Sequence, residues 1–432
     1  MPRRHHDPGW GIPVVRLAEL VSLFVPLEAA VTLSGLGSLP KLATGVLIVA
    51  FVLMFARRRR FEDTKPFGYI LFLHLAWLFL SSSWSSNRPE ANTRLQLLFQ
   101  VALFGVVLCQ VANSTAQRAR LALAFGIGSA IASVIVISNW LNNISYLGYG
   151  IGVEATVDNT GEIARFTVGG EDPNHVATLL AVGAVLMYWG AWELLGRRGR
   201  TIAVGSMGLM FFAALLTGSR GSSVLAPTAV ALYLGWVKMR RELAKFIGTV
   251  FLAGLIGVVV WSFLPTSTKV RMSTSFDGNQ ATSKLRIQIW VAGIHAWQER
   301  PLHGVGIGAY GDSVREELSR PLVAHNTLLN EMVEQGLIGL AISVSPIVLI
   351  WWRSGLLPLT RQMRVRALLI MYLVSTMGLS LELKKVTFFV LALLAAEVRG
   401  VRLRVPFEPE KFDGSALNRA SGELVSSSVS SI

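Results

Sequence analysis

The chain has 432 residues, of which 52% are hydrophobic and only 15% charged, and its mean hydropathy is positive. That composition argues against a large soluble protein with buried helices, which needs far more polar surface. The net charge of +14 invites a nucleic-acid reading, but the distribution of the basic residues argues against one.

Apolar runs able to cross ~30 Å of hydrocarbon, roughly 20 residues each, recur at 14–35, 41–56, 67–84, 95–112, 120–141, 174–195, 201–218, 221–237, 244–264, 327–352, 364–383 and 385–399. They predict an all-α integral membrane protein with about twelve transmembrane helices. The start MPRRHHDPGWGIP leads into a charged helix and lacks a small-residue cleavage site. No removable signal peptide is therefore expected, and the first helix stays as an anchor. With the N-terminus in the cytoplasm, Arg57 to Arg60, Arg197, Arg198, Arg200, Arg240, Arg241, Arg361, Arg364 and Arg366 all fall on the cytoplasmic side, as the positive-inside rule requires. Both termini are then cytoplasmic, and the basic charge records topology. Cys109, the single cysteine, lies inside the fourth run, so it forms neither an internal disulfide nor a cysteine zinc cluster.

The expected organisation is nine helices in residues 1–264 with a long outer loop at about 142–173, a small helical domain on the same outer face at 265–326, three helices in 327–399, and a serine-rich cytoplasmic tail at 400–432 with the composition of disorder. Within the outer domain, KLRIQIWVAGIHAWQER sets Arg286, Trp290, Gly293 and Trp297 on one helical face and Leu285, Ile289 and Ala296 on another. Two readings stay open: a helix lying at the membrane interface, or one packed on its own domain.

In this topology every even-numbered run starts at the outer face, where free N–H groups and the positive end of the helix dipole favour phosphate oxygens. Three such starts carry distinctive residues: GGEDPNHVATLL, TGSRGSSV and AHNTLLNEMVEQG. Arg220 sits in a short connector at the membrane surface; it either snorkels to headgroups or clamps a substrate phosphate. Arg286 is a second phosphate candidate, each such contact contributing roughly 1.5–3 kcal/mol, or it is simply solvated. His325 stands at a helix N-terminus, which disfavours imidazolium and leaves a neutral ring able to accept a proton; a capping histidine is the alternative. Asp172 followed by Pro173 reads as an N-cap, leaving a substrate role open for Glu171, Asn174 or His175. Glu334 lies within a span, where carboxylates are functional or paired with a basic group. The glycines of PLHGVGIGAYG lack a βαβ context, so they predict a flexible turn near the site and not a dinucleotide fold. His5 and His6 have no partner ligands, and no metal-binding motif stands out.

In this order DPNHVATLL, TGSRGSSV, LRIQIWVAGIHAWQERPLHGVGIGAYG and AHNTLLNEMVEQGLIGL resemble the O-antigen ligase and polymerase family of bacterial envelope proteins. The resemblance implies a GT-C-like multispanning glycosyltransferase architecture and metal-independent, inverting transfer without a cofactor. It implies an undecaprenyl pyrophosphate-linked O-antigen donor, a lipid A-core acceptor, membrane lipids as surroundings, no nucleic acid, and a site on the periplasmic face of the inner membrane. Arg220 and Arg286 correspond to the arginines that hold the donor pyrophosphate, and His325 to the catalytic histidine. Asn174, His175, Asn326 and Glu334 remain substrate or supporting candidates. An O-antigen polymerase with the same donor is the nearest alternative, and a multispanning secondary transporter is the alternative from another class.

Overall fold

The computed structural model describes residues 11–33, 37–58, 65–144, 165–225 and 281–399, with short pieces between 227 and 269. Met1–Arg399 form one compact unit; Gly400–Ile432, including the expected disordered tail, lie outside the described residues. The described helices are α1 (Ile12–Phe24), α2 (Leu39–Arg58), α3 (Lys65–Ser81), α4 (Arg88–Val111), α5 (Thr115–Leu141), α6 (Pro173–Leu194), α7 (Arg197–Leu216), α8 (Ala281–Glu299), α9 (Tyr310–Ser313), α10 (Arg315–Leu318), α11 (Thr327–Ser354), α12 (Leu359–Thr376) and α13 (Lys385–Val398). A short antiparallel pair, Thr32–Leu33 with Gly37–Ser38, joins α1 to α2.

Local sequence explains where the helices start. Asn87 caps α4, its side chain accepting from Glu90 N–H at 3.1 Å, with Pro89 in the first turn. Ser114 and Gln117 form a reciprocal capping box on α5, satisfying two amides that have no partner inside the helix. The first expected span is shorter than its apolar run: α1 ends at Phe24 and a 3-10 turn carries Val25–Leu27, where Pro26 lacks the N–H that would continue the helix.

Helices occupy expected runs one to seven and ten to twelve; runs eight and nine fall mostly outside the described residues. By length and composition 6 of the described helices can cross a membrane: α2, α4, α5, α6, α7 and α11. The chain is thus a mainly α-helical, multi-pass membrane protein. The expected number of about twelve is not reached among the described residues, because α1, α3 and α13 are short and the start of α12 carries Arg361, Arg364 and Arg366.

The core is built on α5, α6 and α7, with α1 against α5 and α13 against α4. Close approach of α5 and α6 depends on small residues, the packing mode membrane helices favour: a Cβ on Gly126 would stand 2.8 Å from Met187 Cα. Phe125 and Phe389 pack with ring centroids 4.8 Å apart and their planes tilted by 36°, tying α5 to α13. One end of the bundle is an ion-pair girdle in which Arg118 and Arg361 share Glu397, and Arg364 reaches Glu193 at 2.7 Å. The other end carries the distinctive residues of the sequence.

The helix α11 is broken at Gly336, whose φ of 68° and ψ of −171° are not helical. Residues 301–306 repair the break: Val305 and Gly306 N–H donate to the carbonyls of Val333 and Glu334 at 2.9 and 2.8 Å, and Leu337 and Ile338 N–H donate to those of Pro301 and Leu302 at 2.9 and 3.2 Å. The two segments approach so closely that a Cβ on Gly336 would lie 2.2 Å from Leu302 O. Ile307 is anchored as well, accepting from Ser85 at 2.8 Å while its N–H donates to Ser81 Oγ at 2.9 Å. The glycine-rich turn expected to be flexible is therefore an inserted, hydrogen-bonded brace, a role dictated by the orphan backbone groups of a broken helix.

Candidate functional site

Asn326 caps α11, accepting from Leu329 N–H at 3.1 Å. Thr327 ties this end to the turn between α12 and α13, donating to Leu379 O at 2.7 Å and accepting from Leu381 N–H at 2.8 Å. His325 stands just before the cap in a left-handed conformation, φ 47°. For a residue other than glycine this costs about 1–3 kcal/mol and clusters at functional positions.

Beside it, α8 packs on its own domain through Ile289, Ala292 and Ala296, against Val305, Tyr310, Val314, Ala324 and Val333. Its tryptophans hydrogen-bond to backbone: Trp297 Nε1 to Pro301 O at 3.1 Å, and Trp290 Nε1 to Ala324 O at 2.8 Å. Of the two readings of this helix, these contacts are those of packing on its own domain. The Trp290 bond also locks α8, one turn beyond Arg286, to the residue preceding His325.

Arg220 follows a tight turn after α7, in which Gly218 has φ 67° and Ser219 N–H donates to Thr217 Oγ1 at 3.2 Å. A third element arrives with α6. Asp172 is its N-cap, accepting from Asn174 N–H at 2.7 Å and His175 N–H at 3.3 Å, with Pro173 at the first helical position as expected. Thr178 and Ser222 hydroxyls meet at 2.7 Å, joining α6 to the segment after Arg220.

Mutual electrostatics show that these stretches converge. Burial, then the positive charge of Arg286, depress the His325 pKa below that of ordinary imidazole, and Asp172 opposes them. Burial, then the like charge of Arg220, likewise lower the Arg286 pKa, again against Asp172. Arg220, Arg286, His325 and Asp172, drawn from four separate stretches of chain, thus share one neighbourhood at one end of the bundle. Two guanidinium groups, two helix N-termini and a ring biased towards its neutral form suit an anionic ligand with a proton acceptor beside it.

The other candidates are held by neighbouring side chains. Asn174 Oδ1 accepts from Arg165 Nη2 at 2.9 Å, and Arg165 Nε donates to Thr217 O at 2.9 Å. His175 is buried, its Nδ1 3.0 Å from Glu171 Oε1, and Glu171 also receives Lys384 Nζ at 3.0 Å. Burial alone would raise the Glu171 pKa, but the hydrogen bonds and charges of His175 and Lys384 prevail and hold the carboxyl well below the usual range. Glu334 is buried and paired with Arg94, as its place in a span suggested, and accepts from Tyr310 N–H at 3.2 Å. Arg165, Arg94 and Lys384 were not singled out from the sequence. Only Arg94 carried a usable signal there, a basic residue near the start of one apolar run with a carboxylate inside another.

No curated protein matches the chain. Residues 205–344 match the family model described as O-antigen ligase, a stretch that holds Arg220, Arg286, His325, Asn326, Glu334 and the inserted brace but not Asn174 or His175. The segment that contributes the two arginines and the histidine of this site is therefore similar to the O-antigen ligase family.

Proposed function

We propose that the protein is an O-antigen ligase of the bacterial inner membrane, moving O-antigen glycan from undecaprenyl pyrophosphate to the lipid A-core on the periplasmic side. Both termini are cytoplasmic in this reading, about twelve helices in a GT-C-like arrangement span the membrane, and residues 265–326 form the periplasmic domain. The observation that carries the proposal is the convergence of Arg220, Arg286 and His325 at one end of the bundle, opposite the basic girdle that the positive-inside rule assigns to the cytoplasm.

Arg220 and Arg286 hold the donor pyrophosphate and stabilise the negative charge that grows on it as the sugar–phosphate bond breaks. His325 takes the proton from the acceptor sugar's hydroxyl while that oxygen attacks the anomeric carbon from the face opposite the leaving group. The new glycosidic bond forms with inversion, and undecaprenyl pyrophosphate departs. Charge stabilisation by arginine serves here in place of a metal ion. Asp172 offsets part of the cationic field and keeps the two arginines tolerable side by side.

Gene deletion followed by analysis of the surface lipid tests the assignment. Polymer stranded on its carrier beside bare lipid A-core supports the ligase. Single repeat units attached to core indicate a polymerase, and proton-coupled solute uptake by vesicles of the purified chain indicates a transporter.

A further inference from the structure

A cavity of ≈ 340 Å³ lies between α3, α4, α11, α12 and α13, and neither arginine of the proposed donor site lines it. Its walls are largely apolar, with Ile70, Leu98, Val106, Ile347, Phe388 and Leu391 among them. One region is acidic. Glu331, only 5% exposed, accepts from Gln335 and lies 3.8 Å from His74 Nε2. Glu382 Oε1 accepts from Asn330 Nδ2 at 3.2 Å, whereas Glu382 Oε2 and His74 Nε2, both buried, have no hydrogen-bond partner among the described residues. Among the described residues no lysine or arginine lines the cavity; Arg94, a guanidinium whose charge acts on Glu382, is bonded to Glu90 and Glu334.

A buried acceptor without a donor costs free energy that a ligand can recover. Two carboxyl groups in an apolar cavity favour a positive charge beside them and disfavour any phosphate, so the undecaprenyl pyrophosphate head is the wrong chemistry here. The complement is a cationic, hydrogen-bond-donating head on an apolar chain. The volume falls at the lower end of the ~300–1,000 Å³ of small-molecule sites, which suits a single chain and not a two-tailed lipid.

We infer that this cavity binds a single-chain amphiphile bearing a protonated amine, its head between Glu331 and Glu382 and its chain along the apolar walls. The site is independent of the donor site in its chemistry and adjoins it in structure, since Thr327 and Leu328 on the first turn of α11 line the cavity two and three residues after His325.

Native mass spectrometry of the full chain in a non-ionic maltoside detergent, with dodecylamine or dodecyl phosphate as probe, tests the inference. The expected result is one dodecylamine retained per chain, with retention about tenfold weaker in Glu382→Gln and in Val344→Trp, a change that fills part of the cavity. Dodecyl phosphate is not retained there. Equal retention of amine and phosphate by the wild-type chain overturns the proposal without reliance on any variant. Undiminished amine binding by folded Glu382→Gln and Val344→Trp proteins overturns it as well.

Discussion

Arg94 on α4 spans both carboxylate oxygens of Glu334 on α11, at 3.1 and 3.2 Å. The same carboxylate receives the Tyr310 amide, so one ion pair fastens a helix, a broken helix and the inserted brace. Removing one partner leaves a buried charge unpaired, which costs about 3–5 kcal/mol. Arg94→Ala should therefore lower the thermal unfolding midpoint in detergent sharply, whereas Arg94→Met combined with Glu334→Leu recovers part of the loss. A double variant no more stable than the single one would show that the pair does not act as a unit.

The backbone of the brace makes a sharper demand. An alanine at Gly336 must adopt φ 68° and place its Cβ 2.2 Å from Leu302 O, so the two segments must separate. Gly336→Ala should prevent recovery of folded protein or destabilise it by several kcal/mol, more than the ~1 kcal/mol of an ordinary glycine effect. Gly45→Ala on α2, where nothing lies within 4 Å, is the control and should leave the unfolding midpoint unchanged or raised. Similar behaviour of the two variants would remove the brace from the account of stability.

For the proposed chemistry, His325→Ala should reduce glycan transfer by about 10²–10⁴-fold, the range of general-base contributions, with donor binding preserved. The pH profile carries a sign. Burial and Arg286 favour neutral His325, so the free base persists below the ordinary ~6.5 of histidine, and activity falls only at lower pH. Arg286→Gln removes the opposing positive charge; the residual activity should then lose its base at higher pH than in wild type. An acid limb that moves downward in Arg286→Gln, or a His325→Ala protein with wild-type rates, contradicts the assignment.

Arg220→Ala and Arg286→Ala should each weaken binding of undecaprenyl pyrophosphate about 10–100-fold, the equivalent of roughly 1.5–3 kcal/mol per charge-assisted contact. The double variant should lose more than either single one. Arg165→Ala is expected to act on the same measurement more weakly, since its guanidinium bridges Asn174 and the Thr217 carbonyl three residues before Arg220. Undiminished donor binding in the double variant removes the clamp.

Much of this was legible in the chain because the signals are local. Asp172 before Pro173 announces a helix start, and His325–Asn326 marks the entry to an apolar run. Apolar length alone locates α2, α4 to α7 and α11. What escaped is non-local. Nothing in PLHGVGIGAYG states that its backbone will complete a helix beginning at Thr327, because amides and carbonyls carry no sequence signature. Arg165 and Lys384 were invisible for a related reason: each is defined by a partner brought near only by folding, Asn174 and Glu171 respectively.

The brace at Gly336 also bears on biogenesis. A helix interrupted about 14 Å from its start, at 1.5 Å per residue, cannot rest against lipid with four backbone groups unmatched. Residues 301–306 are synthesised before Thr327–Ser354, so the segment that repairs the gap has left the ribosome when the interrupted helix emerges. Order along the polypeptide thus supplies the repair before the defect. A circular permutant placing residues 301–306 after α11 would reverse that sequence, exposing the gap to lipid and to membrane proteases during synthesis.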